Sequence, residues 1–160
     1  MSQLERPTGV HGDCAIRHQR IADLAWSAGF IDGDGCISAV LQRHRDRKTC
    51  GLRIRLCVVQ NDHHTLHHLQ RVLGIPGHLH AVKRQPSQNR TVYQLQYDQK
   101  HAIAVLKQIR PYLIRKGPEA DVCMQLFIDG WLDRLPGRDG FPLHVIEART
   151  KGAARLRRMK

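Results

Sequence analysis

At 160 residues the chain is long enough for one compact domain with a core and short for two. Its 41% hydrophobic and 25% charged residues exclude wholesale disorder, and no run approaches the ~20 apolar residues that cross a bilayer. Lys and Arg number 26 against 14 Asp and Glu, a net charge of +12 that points to a polyanionic partner, nucleic acid first. The first residues lack the basic-then-apolar pattern of a signal peptide, so an intracellular protein is expected. The five cysteines, Cys14, Cys36, Cys50, Cys57 and Cys123, include no Cys-x-x-Cys pair and read as reduced residues rather than a disulfide or zinc framework.

Residues 1–17, with Pro7, Gly9 and Gly12 and no periodicity, read as a flexible leader. A helix is predicted over residues 20–33 with two apolar faces: Ile21, Leu24, Ala25, Ala28 and Ile31 on one, Trp26, Gly29, Phe30 and Gly33 on the other. Two faces imply two packing partners, and the glycines of the second permit close approach by another helix.

After Gly35 the period becomes two. Ile37, Ala39 and Leu41 alternate with Cys36, Ser38, Val40 and Gln42, then Leu52, Ile54, Leu56 and Val58 alternate with Arg53, Arg55, Cys57 and Val59, predicting two strands joined by a basic loop. Asn61 or Asp62 can cap a helix carrying Leu66, Leu69, Val72 and Leu73, stopped by Gly74 and Pro76. A second hairpin follows, with Leu79 and Ala81, a turn over residues 86–89, then Tyr93, Leu95 and Tyr97. Helices are predicted over residues 101–112 and 119–135. The expected domain spans residues 18–148 as an α+β fold of order α-β-β-α-β-β-α with an additional C-terminal helix. The basic run over residues 149–160 reads as a mobile tail contacting DNA.

The segment Leu24-Ala25-Trp26-Ser27-Ala28-Gly29-Phe30-Ile31-Asp32-Gly33-Asp34-Gly35, with the element order around it, resembles the LAGLIDADG homing endonuclease family, single-motif type. The resemblance implies a saddle-shaped antiparallel sheet, Mg²⁺-dependent cleavage of double-stranded DNA and no small-molecule cofactor. It implies Asp34 and the Gly33 carbonyl as metal ligands, with Asp32 closer to a structural and capping role. A carboxylate and an exposed carbonyl at a helix C-terminus form a hard-oxygen site suited to Mg²⁺. Further implied catalytic residues are Gln60, which would position the attacking water, and Lys116, which would offset charge on the scissile phosphate. His64 falls where the family often has another cation. The alternative within the same fold is a non-cutting intron RNA maturase or transcription regulator.

One acid per chain is too few for metal-assisted cleavage of two strands, so a second motif must be found. Phe127-Ile128-Asp129-Gly130 echoes Phe30-Ile31-Asp32-Gly33, but Trp131 stands where the metal-binding Asp would, and too little chain follows for a second sheet. A homodimer through Trp26, Gly29, Phe30 and Gly33 is therefore expected, on a pseudo-palindromic site.

A two-stranded ribbon fits the major groove, where alternate side chains meet base edges. The alternation nominates Ser38, Val40, Gln42 and His44, then Arg53, Arg55 and Cys57, then His80, Val82, Arg84, Arg90, Val92, Gln94 and Gln96. His63, His64, His67 and His68 stand at the i,i+4 spacing of a transition-metal chelate, yet no acid or cysteine completes a site, so an exposed or DNA-edge helix face is expected.

Overall fold

The computed structural model describes residues 10–43, 50–82, 90–138 and 140–160. Helix α1, Val10–Asp34, begins ten residues before the apolar pattern predicts, so residues 10–17 are helical rather than part of a leader. From Cys14 to Ala22 it is exposed, and its last turns pack, with Ala28 and Ile31 fully buried and Leu24 against the same core. Buried Ser27 satisfies its hydroxyl by donating to the Asp23 carbonyl at 2.8 Å, one turn back. Ile21 and Ala25, expected on the packed face, are exposed, Ile21 by 50%. The core takes a narrow stripe of α1 because the helix meets the sheet only near its end.

Strands β1 (Gly35–Arg43), β2 (Cys50–Gln60), β3 (His78–Ala81) and β4 (Tyr93–Asp98) form one antiparallel sheet in the order β1-β2-β4-β3. Ile37, Ile54, Leu56, Val58, Leu95 and Tyr97 point into the core, and their alternate neighbours lie on the opposite, open face. The helices cover the apolar face: α2 (His63–Leu73) through Leu66, Leu69 and Leu73, α3 (Gln99–Ile109) through Val105, Leu106 and Ile109, and α4 (Gly117–Asp129) through Ala120, Val122 and Cys123. A short 3-10 turn, Arg110–Tyr112, links α3 to the segment before α4.

The junctions follow from particular side chains. Asp62 caps α2 by accepting from the His64 N–H at 2.9 Å, and Gly74 closes it in the left-handed region at φ 66°. At the α1–β1 junction a Cβ on Gly35 would lie 2.6 Å from the Ile31 carbonyl oxygen, so the sharp exit from helix to strand requires glycine there. Gln99 adopts φ 48° as β4 turns into α3, and its side-chain amide then continues the ladder that β4 leaves. Its Oε1 accepts from the Ile54 N–H at 3.2 Å and its Nε2 donates to the Leu52 carbonyl at 2.8 Å.

Two expectations at the C-terminal end are corrected. The predicted helix over residues 119–135 ends at Asp129, where Gly130 packs its α-carbon too near the Leu126 carbonyl for a side chain. The basic run expected as a tail belongs to α5, Leu143–Arg158. Buried Arg149 donates from Nε to the Gly130 carbonyl at 2.7 Å and stacks its guanidinium over the Phe141 ring, while Val145, Ala153 and Leu156 enter the core. Among the described residues, no helix is long and apolar enough to cross a membrane.

Candidate active site and nucleic-acid face

The end of α1 delivers two carboxylates in succession with opposite fates. The Asp32 carboxylate turns back into the protein and accepts the backbone N–H groups of Ile114, Arg115 and Lys116 at 2.7, 3.1 and 2.8 Å. Burial pulls its pKa upward, but those three hydrogen bonds outweigh it and hold the carboxyl below the ordinary value. Its backbone oxygen accepts from the Arg115 guanidinium and from Lys116 Nζ at 2.5 Å. Asp32 thus clamps the segment before α4 onto the motif, the structural role the resemblance assigns to it.

Asp34 is exposed at the last helical position, and its Oδ2 accepts from Gln60 Nε2 at 2.6 Å. A carboxylate only accepts, so the amide nitrogen of Gln60 must face it, which turns Gln60 Oε1 away as an acceptor. Lys116 is 5% exposed, with burial and then the Arg115 charge lowering its pKa from the ordinary lysine value. Three of the sequence candidates, Asp34, Gln60 and Lys116, therefore gather around the α1–β1 turn. His64 stands in the first turn of α2, its ring 3.9 Å from that of His63. No group of three or more His, Cys, Asp or Glu residues able to hold a metal occurs among the described residues, the histidines of α2 included.

The donors at the turn nonetheless suit a hard cation. Asp34 offers an exposed carboxylate, and the Gly33 carbonyl lies in the last helical turn, where no following residue of the helix donates to it. Mg²⁺ and Ca²⁺ take six or more oxygens. One chain supplies too few, so the donor set fits a cation shared with a second chain and with ligand oxygens.

The face of α1 turned away from the core carries Ala22, Ala25, Trp26, Gly29 and Gly33, all exposed. A Cβ built on Gly29 or Gly33 meets nothing within 4 Å. Among the described residues nothing requires glycine at either position, though glycine inside a helix costs about 1 kcal/mol relative to alanine. Trp26 stacks on Phe30 at 5.4 Å and meets His68 edge-on at 5.0 Å. Phe30, expected on this open face, is half-buried and packs against the core edge.

The open side of the sheet carries most of the residues nominated for base contact. Ser38 pairs in register with Arg55, Val40 with Arg53, Cys57 with Gln96 and His80 with Gln94, so all share one surface. Val82 and Val92 extend it through a backbone bond of 2.8 Å, and Arg90 is exposed beyond them. His44 and Arg84 lie outside the described residues. Arg157 of α5 and Lys160 just beyond it line a groove with Ser38 and Val40, which brings that basic run to the β1 edge of the same surface.

Four residues of this face were not nominated from sequence. Cys36 lies opposite Cys57 and receives Lys160 Nζ at 3.1 Å. Val59 is opposite Gln94, and His78 opposite Gln96. Asp98 pairs with both strand arginines, at 3.1 Å to Arg53 Nε and 3.3 Å to Arg55 Nε. Continuing the Gln94, Gln96 alternation by one step reaches Asp98, so the signal was present.

The sequence pattern of the LAGLIDADG endonuclease family matches residues 27–116. Among curated proteins, no relative matches the sequence. In structure the chain is similar to the homing endonuclease I-CvuI, solved in complex with the I-CreI target in the presence of Mg with the DNA not cleaved. The two share 25% identity and a TM-score of 0.71, over 89% of this chain and 84% of that one. It is similar to the archaeal intron-encoded homing endonuclease I-Vdi141I complexed with DNA, at 17% identity and TM-score 0.67, over 91% and 86% of the two chains. It is also similar to the LAGLIDADG homing endonuclease I-GzeII with its DNA target, at 16% identity and TM-score 0.62, over 82% of this chain and 43% of that one.

Proposed function

The chain belongs to the LAGLIDADG endonuclease family, and from that premise we propose that two copies pair through the open face of α1 and make metal-dependent double-strand breaks in a long, near-palindromic DNA site. The observation that carries this function is the exposed Asp34 carboxylate, held by Gln60 at 2.6 Å beside a glycine face that its own chain leaves uncovered. A protein that only bound DNA would gain nothing from an acid presented to phosphate, because it repels the backbone.

Pairing brings two Asp34 carboxylates and two Gly33 carbonyls to one axis, which raises the oxygen count toward what a divalent cation takes. The similarity to less than half of the longer I-GzeII chain supports a single chain acting as one half of a two-part enzyme. A two-fold protein calls for a two-fold site, hence the near-palindrome.

A Mg²⁺ ion held by Asp34 and Gly33 would supply an activated water and offset charge on the phosphate. The chain's own residues do the rest. Gln60 Oε1, turned outward by the bond from Nε2 to Asp34, accepts a water proton and aims the water's lone pair. Lys116, anchored on the Asp32 carbonyl, keeps a positive charge at the turn where the phosphate arrives. Asp32 fixes both ends of this arrangement through its three backbone bonds.

Incubation of the protein with a randomised duplex library, in Mg²⁺ and in Ca²⁺, followed by sequencing of cut and bound fractions, tests the proposal. Discrete double-strand cuts in Mg²⁺ at a long near-palindrome, with binding alone in Ca²⁺, support it. Bound but uncut DNA under both conditions overturns it in favour of a regulator or maturase.

A further inference from the structure

Asp98 is the one carboxylate among the described strand residues, and its geometry departs from its local role. It stands at the N-cap position of α3 with extended backbone, φ −119° and ψ 148°, where an aspartate ordinarily accepts a helix N–H. Its side chain makes no such bond. It turns instead to the open face of the sheet. Oδ1 accepts from Arg55 Nε at 3.3 Å and lies 3.1 Å from Arg53 Nε as an ion pair, and Oδ2 accepts from Arg53 Nη2 at 3.2 Å and Gln96 Nε2 at 2.6 Å. The next residue, Gln99, at φ 48°, grips the β2 backbone on both sides of Arg53, at Leu52 and Ile54. The whole β4–α3 corner is shaped around the two arginines.

We infer that Asp98 sets sequence preference by holding Arg53 and Arg55 as one preformed pair aimed at guanine edges, a positioning role that rests on the open sheet face binding DNA. An unheld arginine reaches any phosphate, which raises affinity without regard to sequence. A guanidinium fixed by a carboxylate pulls less on phosphate and loses less rotamer freedom when it meets the right base. Arg55 uses only Nε toward Asp98, which leaves its two Nη groups for the bidentate contact that arginine makes with guanine O6 and N7. The arginines lie half-exposed at 42% and 34%, open to a ligand while paired.

Selection from a pool of randomised duplexes in Ca²⁺, over a salt series, compares the wild-type chain with Asp98→Asn. The variant is expected to bind random duplex more tightly, with a log-log salt slope steeper by about one. In each half-site one short block containing guanine should lose about tenfold in preference while all other positions stay sharp. An unchanged preference at every position, or a uniform loss across the site, overturns the inference. Should Asp98→Asn fail to fold, a double variant Arg53→Lys with Arg55→Lys, which keeps the charge and loses the fork, must flatten that same kind of single block; a flattening spread over the site, or none, overturns it. A wild-type chain that enriches no sequence overturns the DNA-reading face itself, whereas an enriched site indifferent to Asp98 overturns only this assignment.

Discussion

Asp34 and Gln60, separated by 26 residues in sequence, are joined by a 2.6 Å hydrogen bond between the end of the first helix and the end of the second strand. The bond fixes which way the Gln60 amide faces and leaves Oε1 for water. Replacing Gln60 by Ala removes the water-aiming acceptor and leaves Asp34 in place. Cleavage in Mg²⁺ is expected to slow by about a hundredfold, with DNA affinity in Ca²⁺ within about twofold of wild type. Single-turnover cleavage and a binding titration measure the two; equal loss in both contradicts the assignment.

The uncovered glycine face yields a prediction of opposite sign in monomer and dimer. A Cβ at Gly29 meets nothing within 4 Å among the described residues, and leucine is the better helix former by about 0.8 kcal/mol, so the isolated fold should not lose stability. A partner helix packed against that face would be pushed away, weakening the dimer by about a hundredfold. Sedimentation velocity distinguishes the cases. A Gly29→Leu protein that sediments as the wild-type dimer would place the interface elsewhere.

Asp32 predicts an acid limit to stability. Its carboxyl sits below the ordinary value of 3.8 in the folded protein, despite the raising effect of burial, because three backbone N–H groups bond the ionised form. A depressed folded pKa contributes stability that is complete above 3.8 and is lost as pH falls through the lower folded value. Asp32→Asn should cost about 2 kcal/mol at pH 7, and the gap between variant and wild type should close below 3.8. Urea midpoints across pH 2–7 (about that window) read this directly.

Much of this arrangement is legible in the residues themselves. The switch from a period near 3.6 to a period of two at Gly35 marks the helix-to-strand exit, and the strict alternation of β1 and β2 separates the core face from the open face. Asp32 turns inward onto backbone N–H groups while Asp34 stays exposed, in keeping with the structural role the family resemblance implies for Asp32. What escapes has physical reasons. From Cys14 to Ala22 α1 is exposed, so this stretch leaves no buried apolar stripe to read, and it is helix by propagation from the packed end.

The C-terminal helix hides differently. Val145, Arg149, Ala153 and Leu156 form one buried stripe, but the arginine in it breaks the apolar pattern, and its partners, the Gly130 carbonyl and the Phe141 ring, come from elsewhere. Asp98 continues the Gln94, Gln96 alternation by one step, at the residue where β4 ends.

The most direct test of the account is the effect of Asp34→Asn on the selected duplex. Asparagine preserves shape and the contact with Gln60 while removing the charge that a divalent cation needs. Double-strand cleavage in Mg²⁺ should fall by at least about a thousandfold, with Ca²⁺-supported binding retained and no gain of cutting on other sequences. Cleavage persisting in the Asp34→Asn protein at a rate near wild type would contradict the assignment of this turn as the catalytic centre.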